Sequence, residues 1–222
     1  MDNKEIKSIV LDFDGTICKL FKNYNLKNKV IEMHNVMKTF GIDFPITLDI
    51  FDIFAVISQQ QTNIKHRDDI IEFAHKFITS IESEAVDNIE IVSGFLDVIP
   101  KLISAGYKIG ICSNNSYECI KKFLDRYLPN IKIPIIGRIP RKPELMKPNS
   151  WPLKEILQVM KCCDSETIFI GDTKNDFDCC VKTNCSFIGM AINDLKFNKL
   201  SKFLSTENII FDYYDLIKIL EK

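Results

Sequence analysis

The fold depends on one stretch, Ser8-Ile9-Val10-Leu11-Asp12-Phe13-Asp14-Gly15-Thr16, in which an apolar run precedes two carboxylates, a glycine and a hydroxyl. Short apolar, β-branched runs are typical of strands that are buried on both faces of a parallel sheet. Side chains two positions apart on an extended chain share a face, so Asp12 and Asp14 are predicted to point in the same direction where this strand ends. Two carboxylates held this close repel one another unless a cation lies between them or one of them keeps a proton.

The glycine after the carboxylates allows the chain to turn away sharply and lets backbone amides approach a ligand. Carboxylates, a glycine turn and a hydroxyl at the end of a buried strand suit a metal-assisted reaction on a phosphate. The alternative is a strand followed by an ordinary polar turn, because Asp and Gly are common turn residues.

The composition is typical of a globular protein with a well-formed core. The chain has 222 residues, of which 46% are hydrophobic and 27% charged, and its formal net charge is −1. No segment is strongly basic, so neither nucleic acid nor an anionic membrane is predicted as a partner. The first residues are charged, and the apolar run after them is too short for a signal peptide or a membrane span. We therefore expect a soluble, cytoplasmic protein.

Eight cysteines are present, most of them in apolar segments. The chain is long for a disulfide framework, so these residues are predicted to be reduced thiols that pack as small hydrophobic side chains. A zinc site formed by Cys179, Cys180 and Cys185 is disfavoured because the chain contains no Cys-x-x-Cys pair.

A helical block follows the first strand. Apolar spacing predicts helices over residues 28–40, 47–58 and 68–85, with a loop at Gln59–Gln61 and no convincing strand before residue 90. A block of this length exceeds an ordinary connection and is predicted to be a unit of its own.

From residue 93 onward, predicted strands and helices alternate. The strands are expected at residues 107–112, 131–136, 167–171, 186–190 and 208–211. This alternation indicates a parallel sheet covered by helices on both faces. The sequence thus predicts an α/β core formed by residues 1–18 and 92–222, with an all-helical cap formed by residues 19–91.

Polar residues follow the predicted strands where a ligand site is expected. In a parallel α/β sheet, ligands bind beyond the carboxyl ends of the strands. The residues predicted to meet there are Asp12, Asp14, Ser113, Asn114, Lys147 and Asp172. Their common position indicates one site assembled from distant parts of the chain.

Two of these assignments have competitors. Asp176 fits a capping box with the threonine three residues before it, but capping does not explain Asp172, an acid placed directly behind an apolar strand. Metal binding is therefore favoured for Asp172, and Asp176 fits both roles. Lys142 competes with Lys147, which is preferred because it leads into a predicted helix with Ser150 as N-cap and prolines near its start.

Four groups of residues resemble, in order and spacing, the signature motifs of the haloacid dehalogenase-like hydrolase superfamily: Asp12–Thr16, Ser113, Lys147-Pro148 and Gly171–Asp176. The resemblance implies a Rossmann-like core. The helical block is similar to the C1 cap of the phosphoglycolate phosphatase-like branch. Asp14 favours phosphoryl chemistry, because dehalogenases of the superfamily lack the second aspartate.

By this resemblance, the protein would be a Mg2+-dependent phosphomonoester hydrolase. Asp12 would be the nucleophile that forms an aspartyl-phosphate, and Asp14 would act as general acid and then general base. Mg2+ would be held by Asp12, the backbone carbonyl of Asp14, Asp172 and Asp176. The implied phosphate-binding residues are Gly15, Thr16, Ser113, Asn114 and Lys147. Positive charge from Mg2+ and Lys147 would offset the repulsion between a carboxylate and a phosphate dianion.

The implied substrate is a small phosphorylated metabolite, because a cap would enclose the site. Phosphoglycolate, a sugar phosphate and a nucleotide monophosphate all fit the sequence. A phosphomutase that uses the same aspartyl-phosphate is the alternative. A non-catalytic binding protein is less favoured because Asp12 and Asp14 are both present. The three histidines, His34, His66 and His75, lie in the predicted cap and are expected to be structural or at the surface.

Overall fold

The computed structural model describes residues 5–46 and 49–221. Within these residues the strands are β1 (Ser8–Leu11), β2 (Cys18–Lys19), β3 (Glu90–Ile91), β4 (Lys108–Cys112), β5 (Ile135–Ile136), β6 (Thr167–Gly171), β7 (Ser186–Met190) and β8 (Ile209–Ile210). Six of them form one sheet in the order β5-β4-β1-β6-β7-β8. Every pairing in this sheet is parallel, which confirms the predicted Rossmann-like α/β fold.

The helices of the described residues are α1 (Leu26–Thr39), α2 (Ile53–Gln60), α3 (Ile64–Ala85), α4 (Phe95–Ser104), α5 (Tyr117–Tyr127), α6 (Trp151–Met160), α7 (Lys174–Cys180), α8 (Asp194–Leu200) and α9 (Tyr213–Leu220). Helices α1 to α3 lie between β2 and β3 in the chain, and the others alternate with the strands of the sheet.

Both faces of the sheet are buried, as the apolar run in β1 predicts. Ile9 and Leu11 pack on one face with residues of α4, α5 and α9. Val10 packs on the other face with residues of α6 and α7. All three side chains are completely buried. The alternation follows from the period of two along a strand, so this short run carries the core on both sides.

The register of β1 sets the position of the polar residues. Leu11 lies opposite Ile111 of β4 on one side and Ile170 of β6 on the other. The three strands are parallel, so their carboxyl ends meet at one edge of the sheet. Asp12, Ser113 and Asp172 therefore leave the sheet side by side.

The helical block has a hydrophobic cluster of its own. Its buried members come from all three helices and include Val30, Met33, Met37, Ile53, Phe54, Ile57, Ile70, Ile71, Ala74 and Ile78. Helix α3 runs for 22 residues from Ile64 and is capped by Asn63, whose side chain accepts a hydrogen bond from the His66 amide at 3.1 Å. The α3 helix therefore starts four residues earlier than the apolar pattern predicts.

The prediction that no strand occurs in the block was wrong at its edges. Strands β2 and β3 form a two-stranded antiparallel pair in which Cys18 lies opposite Ile91 and Lys19 opposite Glu90. Two residues per strand are too few to produce a visible alternation, so the sequence gives no strand signal there. This strand pair therefore holds together the two segments that connect the helical block to the rest of the chain.

Other element bounds also differ from the prediction. Residues 50–52 form a 3-10 turn capped by Asp49, and α2 follows; Thr47 and Leu48 lie outside the described residues. Gln59 and Gln60 belong to α2 and not to a loop, because the Gln60 side chain donates to the Asp43 carbonyl at 2.7 Å and accepts from its amide at 2.9 Å.

The strand predicted at residues 131–136 contains only Ile135 and Ile136. It starts just after Pro134, which has no amide hydrogen to donate to a ladder. The strand predicted at residues 208–211 shortens to Ile209–Ile210. Among the helices described, none is both long and apolar enough to cross a membrane.

Candidate active site

Three carboxylates from three elements converge at the carboxyl edge of the sheet. Asp12 follows β1, Asp172 follows β6 and Asp176 lies in the first turn of α7. Each offers a carboxylate oxygen within 4.8 Å of the other two, and all three residues are buried. The predicted convergence of Asp12, Asp172 and Asp176 is therefore present in the structure.

Lys147 joins two of these acids. Its Nζ lies 2.6 Å from Asp12 Oδ1 and 2.5 Å from Asp176 Oδ1. Burial alone would lower the pKa of Lys147, but the two carboxylates outweigh it and raise that pKa. Lys142, the competing lysine, is exposed at the surface. The structure thus brings Lys147, and not Lys142, to the predicted site.

The helix that follows Lys147 starts differently from the prediction. Ser150 stands at the N-cap position of α6, but its side chain makes no capping bond. Asn149 Oδ1 accepts from the Trp151 amide at 2.8 Å instead. The Lys147 backbone is held by Asn114, whose Oδ1 accepts from the Lys147 amide at 2.9 Å and whose Nδ2 donates to the Lys147 carbonyl at 3.0 Å.

Asp172 has one oxygen paired and one without a partner. Its Oδ2 forms an ion pair with Lys196, which lies in the first turn of α8. Its Oδ1 is buried and has no hydrogen-bond partner among residues 5–46 and 49–221. Burial raises the pKa of Asp172 to about 8, although Lys196 acts in the opposite direction. An unpaired buried carboxylate oxygen beside two further carboxylates is a donor set that suits a hard divalent cation.

Gly15 is required by space as well as by its backbone. Its φ of 85° lies in the left-handed region, and a Cβ at this position would collide with the Asp172 carboxylate. The backbone amides of this turn are already used, since the Gly15 amide donates to the Cys18 carbonyl at 2.7 Å and the Thr16 amide to the Phe13 carbonyl at 3.3 Å. The Thr16 hydroxyl is buried without a described partner. Phosphate binding by Gly15 and Thr16 stays a prediction.

Asp14 lies beside Asp12 in a separate environment. Its Oδ1 accepts a hydrogen bond from the Leu20 amide at 2.8 Å, so the start of the helical block fixes its orientation. Burial raises the pKa of Asp14 to about 7, the Leu20 amide opposes this shift, and the charge of Asp12 adds to it. A carboxyl group with such a pKa can exchange a proton near neutral pH.

Asp176 forms the predicted capping box and also faces the acid cluster, so metal binding by its other oxygen stays a prediction. Its Oδ2 accepts from the Thr173 amide at 3.0 Å and from the Thr173 hydroxyl at 2.5 Å, and the Asp176 amide completes the capping box. Its Oδ1 faces Lys147. Capping thus fixes the carboxylate in the orientation that places its second oxygen in the acid cluster.

A family model described as haloacid dehalogenase-like hydrolase matches residues 9–190, which include all four groups of motif residues. The chain belongs to this hydrolase family. An uncharacterized hydrolase of Saccharomyces cerevisiae is 23% identical over 176 residues, or 78% of this chain and 72% of the yeast protein.

Solved structures share the whole fold of this hydrolase. A predicted phosphoglycolate phosphatase from Haemophilus somnus has a TM-score of 0.66 at 15% identity, with 98% of this chain and 99% of the other covered. A β-phosphoglucomutase from Clostridium difficile has a TM-score of 0.69 at 16% identity, with 97% and 96% covered. The resemblance stated from the motifs is confirmed, and the helical block is included in the shared fold.

A cavity of about 1190 Å³ lies between the acid cluster of the hydrolase and its helical block. The core contributes Asp12, Asp14, Ser113 and Lys147 to its lining, and the block contributes the side chains of Phe51, Phe54, Arg67 and Ile71. Pockets for small ligands have volumes of roughly 300–1,000 Å³. The cavity is therefore large enough for a small molecule that reaches from the carboxylates to the helices.

Several residues at or near the site were not predicted to belong to it, although His75 was expected to be structural or at the surface. Lys196 and Arg138 come shortly after strands β7 and β5, so the strand-end rule could have indicated them. His75 and Glu82 carried a different signal, because they stand on the apolar stripe of α3 that includes Ile78. Both are buried, and both contact Arg138. A charged residue on such a stripe indicates a buried partner.

Proposed function

We propose that this hydrolase is a Mg2+-dependent phosphatase that cleaves a small phosphomonoester through an aspartyl-phosphate on Asp12. The observation that supports this most directly is the position of Asp12. One of its carboxylate oxygens is held by Lys147, two further carboxylates lie within 4.8 Å, and its side chain lines the cavity. A nucleophile that attacks a phosphate needs such compensating charge around it.

In the first step, an Asp12 carboxylate oxygen attacks phosphorus and the bond from phosphorus to the ester oxygen breaks. Asp14 donates a proton to the departing alcohol oxygen, for which a pKa of about 7 is well matched. In the second step, the Asp14 carboxylate takes a proton from a water molecule that attacks the phosphoryl group. Free phosphate is released, and the carboxylate of Asp12 and the proton of Asp14 are restored.

Lys147 and Ser113 serve the phosphoryl group in this proposal. Lys147 offsets the negative charge that the phosphate brings next to Asp12. Ser113 is buried beside Asp12 and lines the cavity; its hydroxyl donates to Asn115 Oδ1 at 2.9 Å here and would turn from that oxygen to donate to a phosphoryl oxygen. Asn114 binds the Lys147 backbone with its side chain, so it supports the phosphate site by fixing this lysine.

Mg2+ fits the donor set of the acid cluster. Asp12, Asp172 and Asp176 would hold it, together with the backbone carbonyl of Asp14, and the partnerless Oδ1 of Asp172 provides an available ligand atom. When bound, the ion would neutralise charge on the transferring phosphoryl group. This donor set consists of oxygen atoms, the ligands that Mg2+ prefers.

We propose in addition that residues 19–91 form a cap over a core made of residues 1–18 and 92–222. The cavity is lined from both sides, which favours a small substrate enclosed between them. A phosphomutase is the second candidate, because a β-phosphoglucomutase shares the fold. It would return the phosphoryl group from Asp12 to a substrate and would release no phosphate.

The test is phosphate release from a panel of phosphomonoesters, with and without Mg2+, by the wild-type chain and by Asp12→Asn. The proposal expects Mg2+-dependent release that Asp12→Asn abolishes. Asp12→Asn with near-wild-type turnover would exclude Asp12 as the nucleophile. Isomerisation of a sugar phosphate without phosphate release, dependent on a bisphosphate activator, would favour the phosphomutase.

A further inference from the structure

A fully buried ion pair joins the helical block to the core. Glu82 of α3 and Arg138, which follows β5, have side chains that are 0% and 1% exposed, and they meet at 3.1 Å. Arg138 Nε donates to His75 Nδ1 at 3.1 Å and Arg138 Nη2 to the Thr79 hydroxyl at 3.1 Å. Arg138 Nη1 donates to the Asn114 carbonyl at 2.8 Å. With two bonds to Glu82, all five N–H groups of the guanidinium are used.

The carboxylate of Glu82 also holds the chain segment that follows β4. Glu82 Oε1 accepts from Asn115 Nδ2 at 3.1 Å, and Glu82 Oε2 accepts from the Ser116 amide at 3.1 Å. Asn115 in turn holds Ser113. The side-chain oxygen Asn115 Oδ1 accepts from the Ser113 hydroxyl at 2.9 Å, and the backbone N–H of Asn115 donates to the same hydroxyl at 3.2 Å.

The charge of Glu82 determines which way the Asn115 side chain faces. A carboxylate only accepts hydrogen bonds, so the amino end of Asn115 must face Glu82 and its oxygen must face Ser113. If the Asn115 side-chain amide were reversed, its oxygen would face a carboxylate oxygen of Glu82 in a buried place, where an unmade hydrogen bond costs about 1–3 kcal/mol. The Ser113 oxygen is thereby held between two groups of Asn115.

A second path leads from the same ion pair to Lys147. Arg138 binds the Asn114 carbonyl, and the Asn114 side chain binds the Lys147 backbone on both its donor and its acceptor side. Two residues proposed to bind phosphate thus depend on a carboxylate that belongs to the helical block. Neither Glu82 nor Arg138 lines the cavity among the described residues, so their effect on the site is indirect.

We propose that Glu82 is a positioning residue for the phosphate site. It anchors residues 113–116, so the positions of Ser113 and Lys147 depend on how α3 packs against the core. The inference rests on the proposed phosphatase function. It differs from a purely structural role, in which the ion pair would contribute stability and nothing more.

The decisive variant replaces the ion pair with apolar side chains, Glu82→Leu with Arg138→Met. Replacing both partners of a buried ion pair with apolar residues of similar size is often neutral or stabilising, so this variant is expected to fold. Turnover of p-nitrophenyl phosphate and binding of inorganic phosphate are measured with Mg2+ present, and thermal unfolding is followed in parallel. We expect kcat/KM to fall about tenfold or more, as is usual for residues that are energetically coupled.

Asn115→Ala removes one hydrogen bond to Glu82 and leaves the Glu82–Arg138 pair in place, and Thr79→Val is the matched control. Thr79 lies on α3 and accepts from Arg138 Nη2, whereas the Asn114 carbonyl is bound by Arg138 Nη1 and keeps that bond when the Thr79 hydroxyl is removed. Asn115→Ala should also lower kcat/KM, and its effect should be smaller in a Glu82→Gln background than in the wild type, because both changes act on the path to Ser113. Thr79→Val should lower the thermal midpoint and leave kcat/KM within about twofold. Unchanged kcat/KM in the Leu/Met variant, or an equal loss in Thr79→Val, would overturn the inference.

Hydrogen exchange separates this inference from the proposed function. The Ser116 amide, which donates to Glu82, should exchange at least about tenfold faster in the Leu/Met variant and remain unchanged in Thr79→Val. Faster exchange in a protein that releases no phosphate would refute the phosphatase and retain the anchoring by Glu82. Unchanged exchange would refute the anchoring, whatever the activity.

Discussion

Substituting Lys147 with Met removes the ammonium group that Asp12 and Asp176 share. Both carboxylates lie within 2.6 Å of this group, and all three side chains are buried. Methionine is comparable in length and carries no charge, so the substitution leaves two buried carboxylates without their common partner. Removing one member of a buried ion pair costs roughly 3–5 kcal/mol. We expect the free energy of unfolding of Lys147→Met to fall by about this amount near pH 8 without divalent cations.

The loss should become smaller as the pH is lowered. Burial already raises the pKa of Asp12, and the Lys147 charge opposes that shift. Without Lys147 the pKa of folded Asp12 rises further, so the folded variant binds a proton that the unfolded chain has released. A state that binds more protons is stabilised as the pH falls. The difference between variant and wild type is therefore largest at high pH.

The assay is urea unfolding at about pH 8 and about pH 5.5, with Lys142→Met as the matched control. Lys142 is an exposed lysine of the same loop, and its loss should change stability by less than about 0.5 kcal/mol. Adding Mg2+ should restore part of the stability of Lys147→Met. A loss below about 1 kcal/mol at high pH, or a loss that grows as the pH falls, would refute the assigned charge sharing.

Three further outcomes follow from the geometry. Gly15→Ala should weaken Mg2+ binding, measured by calorimetry, because the added Cβ would displace the Asp172 carboxylate. Gly41→Ala is the control, because Gly41 has a similar φ but open space around it. This substitution should cost only about 1–3 kcal/mol of backbone strain. Asp14→Asn should lower kcat by about 10²–10⁴ and remove the titration near pH 7 from the rate profile. Burial and the Arg138 charge lower the pKa of His75 in the folded state. The contribution of His75 to the free energy of unfolding is therefore complete above about pH 6.5 and is lost as the pH falls. His75→Asn keeps a hydrogen-bond acceptor but does not titrate, so its free energy of unfolding in denaturant should lack this pH-dependent loss.

The sheet and the acid cluster could be predicted because their signals are local. The apolar run before Asp12 identifies a doubly buried strand, and the rule for parallel sheets places the residues after each strand at one edge. Asp172 followed from the same rule. The side chain of Asp176 was ambiguous in sequence because one carboxylate has two oxygens, and the structure uses one for the cap and the other for the cluster.

The contacts between the block and the core could not be predicted in this way. Glu82 and Arg138 are 56 residues apart, and no periodic pattern relates a helix face to a loop in another part of the chain. The β2–β3 pair was missed for a similar reason, since its strands are too short to carry a pattern and are joined only by tertiary structure. Asn114 was expected to bind phosphate, and its side chain is engaged with the Lys147 backbone.

The balance of charge at the sheet edge connects these observations. Four carboxylates meet two ammonium groups there: Asp12, Asp14, Asp172 and Asp176 face Lys147 and Lys196. If every group is ionised, two negative charges are left without compensation in a buried place, and such groups either take up protons or bind a cation. The raised pKa values of Asp12, Asp14 and Asp172 correspond to the uptake of protons. A divalent cation would provide the second response, and it would leave Asp12 ionised, as the proposed nucleophilic role requires. By the same balance, the phosphate dianion of the proposed reaction would approach the four acids only after such an ion had bound.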